Sequence, residues 1–143
     1  MRYIVATDGS RSSLKAADFL VRQSCPGLED EIFVIYVFPL PSDSECYEGV
    51  VSLPTDAGDD RIAKVARPIF EKTLEALDGL ESRVHKVILI GNPAMEIVEF
   101  AMNLRVDLIV AGTRGRSPVQ ELYLGSVSSA LTHRAPCSIL IVR

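Results

Sequence analysis

The sequence predicts an α/β fold: a three-layer sandwich built on a mostly parallel sheet of five strands, with helices on both faces. Two observations predict it. Short, unbroken apolar runs rich in β-branched residues recur five times, and segments of helical period separate them. A continuous apolar run bounded by turn residues suits a strand buried on both faces, as in a parallel sheet. The alternation then requires right-handed crossovers between neighbouring strands. The strand order expected of such a fold is 3-2-1-4-5, with the first strand central.

Tyr3 to Ala6 is the first run, and Leu14, Ala17, Leu20 and Val21 mark a helix after Ser10. The second run is Ile32 to Phe38. A helical stripe follows in Ile62, Val65, Ala66, Ile69, Phe70, Leu74 and Leu77, and Pro68 within it predicts a late start or a kink. Val87 to Ile90 is the third strand. After it, Asn92-Pro93 supplies an N-cap and a first helical residue for the stripe Ala94, Ile97, Val98, Ala101 and Met102. Leu108 to Ala111 is the fourth strand, Val127 to His133 a short helix stopped by Pro136, and Ile139 to Val142 the last strand. The segment 40–59 shows no periodicity and holds Pro41, Gly49, Pro54 and Gly58, so it reads as one long loop.

Composition limits the function classes. The 143 residues are 48% hydrophobic and 24% charged, with a net charge of −4. This length suits one domain over residues 1–143. So many aliphatic residues exclude a disordered acidic chain. A pI near 5.2 argues against a nucleic-acid partner, which needs a basic surface. No apolar run reaches the ~18–20 residues of a membrane span. The stretch before Asp8 is too short for a secretory signal. Cys25, Cys46 and Cys137 are odd in number and lack CxxC spacing, which fits free thiols and a cytoplasmic location. The charge is uneven. Six carboxylates and no Lys or Arg lie between Leu40 and Asp60, whereas from Gly112 onward four arginines face the single Glu121.

In a doubly wound sheet a ligand binds outside the carboxyl ends of the strands, where the strand order reverses. The first strand ends at Thr7-Asp8-Gly9-Ser10 and the fourth at Gly112-Thr113-Arg114-Gly115-Arg116, so both should flank one crevice. Glycines at 112 and 115 allow close approach of a ligand to the backbone. Gly125-Ser126 opens the last helix. The free amides of Gly125, Ser126, Val127 and Ser128 would face an anion, with Arg114 and Arg116 beside it. These features describe a phosphate cradle. It is neither a P-loop, since Lys86 is the last lysine, nor a GxGxxG turn, since the first crossover has only Gly9.

The spacing Gly112-x2-Gly115-x9-Gly125-Ser126 resembles the nucleotide signature of the universal stress protein family. Ile4-Val5-Ala6-Thr7-Asp8-Gly9-Ser10, Gly91-Asn92-Pro93 and His133-Arg134-Ala135-Pro136-Cys137 are similar to that family as well. The resemblance implies its ATP-binding subgroup. It places Asp8 at the nucleoside with Ala6 and Thr7 along the same wall, and it gives the Val37 backbone to the adenine. Gly112, Arg114 and Gly115 would lie under the ribose and α-phosphate. Gly125, Ser126, Val127 and Ser128 would receive the outer phosphates. The ligand is then ATP, or AMP or ADP, with any Mg or Mn held by the phosphates. Gln120-Glu121 departs from the family's basic residues in the intervening stretch, and a carboxylate there would weaken phosphate binding.

Asp8 and Ser126 also suit helix N-caps, His85 and His133 read as structural, and Cys137 reads as core. No Ser-His-Asp or Cys-His arrangement can be built around the crevice, and no base for a hydrolytic water is evident. The reading is therefore a nucleotide-binding regulatory or stress protein with at most slow ATP hydrolysis. The alternatives are a structural dimer module with an empty cleft and a weak ATPase or nucleotide-transferring enzyme. The resemblance and the bare apolar strand 138–142 both imply a homodimer paired along that strand, unless the acidic loop folds over it.

Overall fold

The computed structural model describes residues 1–24, 26–27, 29–39, 49–51, 60–80, 83–114 and 124–143. Its elements are β1 (Arg2–Ala6), α1 (Arg11–Phe19) continued by a π turn (Leu20–Ser24), β2 (Glu31–Phe38), β3 (Gly49–Val51), α2 (Asp60–Ala76), β4 (Val84–Ile90), α3 (Pro93–Leu104), β5 (Leu108–Gly112), α4 (Ser126–Arg134) and β6 (Ser138–Val142). The sheet order is β3-β4-β2-β1-β5-β6. All neighbours are parallel except β3, which pairs antiparallel with β4. The five long strands therefore stand in the predicted order 3-2-1-4-5, and β3 is an addition.

That addition corrects the reading of 40–59 as loop throughout. Gly49–Val51 pairs with Ile90, Leu89 and Ile88 at the margin opposite β6. Three residues are too few to show a period, so only the partner strand reveals them.

The central strand explains the continuous apolar runs. Tyr3 and Val5 of β1 join a core with Ala16 of α1, Leu20 of the π turn, and Ala66 and Phe70 of α2. Ile4 and Ala6 join a second core with Ile97, Ala101 and Leu131 from α3 and α4. Successive side chains of one strand thus serve opposite layers. Ile4, Ile35 and Ile109 are within 1% of complete burial, and each is worth about 1.5–3 kcal/mol in transfer from water.

Helix α2 begins at Asp60 and runs through Pro68, so the predicted late start does not occur. Pro68 is exposed on the solvent side of this helix. At the start of α3, Asn92 accepts from the Ala94 and Met95 amides at 3.2 Å each, with Pro93 as the first helical residue, as the sequence indicates. At the far end of the sheet from these helix starts, Asp30 pairs with the Met1 amine and accepts from the Gly27 N–H at 2.6 Å. No helix among the described residues is long and apolar enough to cross a membrane.

Candidate functional site

The carboxyl ends of β1, β2 and β5 open on a cavity of about 750 Å³. Ala6, Thr7, Asp8, Val37, Gly112, Arg114, Gly125, Ser126, Val127 and Ser128 all line it. Gly115 of the predicted set lies outside the described residues, as do Arg116, Gln120 and Glu121.

One end of the cavity is apolar. Ala6, Ile35 and Val37 contribute from the strands, Pro39 from the exit of β2, and Pro93 and Ile97 from α3. The last bond between β1 and β2 runs from the Thr7 N–H to the Ile35 carbonyl at 2.9 Å. Peptide groups two residues apart point the same way along a strand. Val37 therefore directs its N–H and C=O past the end of β1, with no β1 residue opposite.

The first crossover turns sharply at Gly9, whose φ of 72° lies in the left-handed region that glycine enters without strain. The turn corrects one alternative for Asp8. The N-cap of α1 is Ser10, which accepts from the Ser13 N–H at 3.3 Å. Asp8 lies two residues outside the helix, and its Oδ1 accepts from the Ser10 N–H at 3.0 Å. The carboxylate is thus held in a local turn with Oδ2 left over, at the wall of the cavity.

The other end is polar. Gly125, and not Ser126, is the N-cap of α4, and no side chain caps this helix. The first intrahelical bond runs from the Ser129 N–H to the Gly125 carbonyl at 2.9 Å. The N–H groups of Ser126, Val127 and Ser128 consequently have no partner within the helix. The Gly125 N–H is spent, because it donates to the Thr113 carbonyl at 2.7 Å, so it is unavailable to an anion. The Ser128 hydroxyl is spent too, donating to the Gly112 carbonyl at 2.6 Å. What remains is a helix N-terminus of three open amides with Arg114 on the same cavity. It is worth about 0.3–1 kcal/mol to an anion, rising toward ~2 kcal/mol where partly buried.

Gly112 lines the cavity for a reason its motif does not reveal. It is not among the positive-φ glycines; its missing Cβ makes room for α1. Sequence reasoning also missed Ser13 and Thr73. Their hydroxyls lie 3.2 and 2.9 Å from Thr7 Oγ1 in a buried cluster, in which Ser13 lines the cavity beside Thr7 and Thr73 stands behind them. Thr73 occupies a position that the helical stripe marks as apolar, and that mismatch was the available signal; Ser13, in the polar run Ser10-Arg11-Ser12-Ser13, carried none.

The histidines do not line the cavity. His85 stacks on Phe33 with ring centroids 5.0 Å apart, and His133 Nδ1 is 2.8 Å from the Ser129 carbonyl. Cys137 is a free thiol packed against the second core, and burial, with Asp107 adding to it, pushes its pKa up. Among the described residues no three His, Cys, Asp or Glu side chains gather as a metal site.

Fold and cavity together define a doubly wound α/β protein with an amphipathic cavity where the strand order reverses. The chain belongs to the universal stress protein family, which it matches over residues 1–143. It is 30% identical over 146 residues to universal stress protein MJ0531 of Methanocaldococcus jannaschii, covering 99% of this chain and 81% of that one. It is 31% identical over 146 residues to universal stress protein YxiE of Bacillus subtilis, covering 99% and 98%. Among solved structures it shares its fold with the universal stress protein from Archaeoglobus fulgidus in complex with dAMP (TM-score 0.69, 16% identity, 100% of this chain and 98% of that one). A universal stress protein in complex with cAMP is also similar (TM-score 0.64, 23% identity, 100% and 96% covered). So is a universal stress protein family member from Arabidopsis thaliana with AMP bound (TM-score 0.63, 17% identity, 99% and 90% covered).

Proposed function

We propose that this chain is an adenine-nucleotide-binding universal stress protein of the ATP-binding subgroup, acting as a cytoplasmic regulator with at most slow ATP hydrolysis. One observation carries the reading. A single cavity joins an apolar wall ending in the open Val37 peptide groups to the three open amides of α4 and to Arg114. A flat, weakly polar base suits the first end and a phosphate chain the second. Asp8 stands on the wall between β1 and α1, where its unused oxygen suits a sugar hydroxyl or a base amino group. That three proteins of this fold were solved with dAMP, cAMP and AMP supports the same ligand class. A divalent cation would ride on the phosphates.

The test is chromatography of small molecules released when the purified protein is denatured, followed by calorimetry with ATP, ADP and AMP. An adenine nucleotide in the extract, or micromolar binding that Gly125→Val abolishes, supports the reading. An empty extract together with no heat from any of the three sinks it, and leaves the structural module as the surviving alternative.

A further inference from the structure

Behind the cavity-lining hydroxyls of Thr7 and Ser13 stands a third, that of Thr73, which lines no part of the cavity. Thr73 is 0% exposed and sits at a position of α2 that a valine would fill with the same shape and no polar atom to bury. Its own proton is committed, because Oγ1 donates to the Ile69 carbonyl one turn back at 2.8 Å. The Ser13 proton is committed likewise, to the Ser10 carbonyl at 2.9 Å. In the contacts among Thr7, Thr73 and Ser13 the donor is therefore the Thr7 hydroxyl, and its shorter contact, 2.9 Å against 3.2 Å, is to Thr73. With its proton aimed at α2, Thr7 Oγ1 turns a lone pair to the Gly9 N–H at 3.2 Å. Gly9 is the left-handed residue that aims Asp8, and Ser10 is the amide that Asp8 holds.

We propose that Thr73 is a positioning residue of this site: acting through Thr7, it fixes the Asp8–Ser10 turn that holds Asp8 on the cavity wall. The inference rests on the nucleotide reading for its effect on affinity. Its effect on the turn stands independently. Among the described residues helix α2 contributes no side chain to the cavity, and the Thr7–Thr73 hydroxyl contact links Thr73 directly to a residue that lines it.

The experiment compares Thr73→Val, Thr73→Ser, Thr7→Val and the double variant Thr7→Val/Thr73→Val by ATP calorimetry and by amide hydrogen exchange at Gly9 and Ser10. Thr73→Val should weaken ATP binding about two- to tenfold, the equivalent of one net hydrogen bond. It should speed exchange at both amides by a similar factor, and Thr73→Ser should restore both. In the Thr7→Val background the second change should add nothing, since the pathway is already cut. The double variant strands no buried hydroxyl of the pair, so it remains a folded reference should Thr73→Val be too unstable to measure. Wild-type exchange and affinity in Thr73→Val, failure of Thr73→Ser to rescue, or additive losses in the double variant would each overturn the proposal. A wild-type chain that binds no nucleotide defeats the functional reading alone, and the exchange data still decide the role of Thr73.

Discussion

Helix α1 presses its Ser12 backbone so close to Gly112 that a Cβ on the glycine would lie 2.5 Å from the Ser12 carbonyl carbon and 2.7 Å from its oxygen. Contacts this short against backbone cannot be relieved by a rotamer change. Gly112→Ala should therefore destabilise the fold by about 1–3 kcal/mol through overpacking, measured by urea unfolding. Adding Ser12→Ala removes only the Oγ contact at 2.5 Å and should recover little of the loss. Full recovery in the double variant would show that the side chain, not the helix backbone, sets the requirement.

Asp8 is free of capping duty, which makes its substitution informative. Asp8→Asn keeps an oxygen for the Ser10 N–H and removes the charge. The melting temperature should hold within the error of a surface change, about 0.5 kcal/mol, while ATP affinity falls. Unchanged affinity in this variant would remove Asp8 from the nucleoside role.

Strand β6 ends the sheet, and its residues Ile139 to Val142 are only half-buried. An apolar edge strand flanked only by Pro136 and Arg143 invites pairing with a second copy about a two-fold axis. The competing cover, the acidic segment, sends its one described strand to the opposite margin. Light scattering should give a dimer for the wild type, and Ile141→Lys should shift it to a monomer with its helical signal intact. A monomeric wild type at high micromolar concentration contradicts the pairing.

At the other end of the sheet, the Met1 amine and then the Gly27 N–H hold the Asp30 carboxyl below its ordinary value of 3.8. A carboxylate whose pKa is lower folded than unfolded adds stability above the unfolded value, and loses it as pH falls through the folded one. The wild type should exceed Asp30→Asn in stability at pH 6. That margin should close below pH 3.8 as the folded carboxyl takes up its proton, and urea unfolding across this range reads it directly. A margin independent of pH would mean that the contact acts by shape and not by charge.

The sequence made the five long strands and their order legible because each run such as Tyr3–Ala6 is buried on two faces, leaving an unbroken apolar signature. It also located the cavity, since the glycine spacing and Asp8 fall at strand ends that the fold makes neighbours. The finer assignments were hidden for identifiable reasons. Whether Asp8 or Ser10 caps α1, and whether Gly125 or Ser126 caps α4, depends on backbone angles that neighbouring polar residues satisfy equally well. The pairing of Thr7 with Thr73 spans 66 residues, and nothing local announces it. The steric requirement at Gly112 was hidden because its partner, Ser12, is a hundred residues away.

The two margins of the sheet are unlike, and this sets a limit on growth. One is the five-residue strand Ser138–Val142; the other is the three-residue, oppositely directed Gly49–Val51. If two copies join along their longer margins, both outward borders of the pair are the short strand. Such a stub presents too little ladder to seed another addition. Such an association would be self-terminating: the same geometry that invites a second copy would turn away a third.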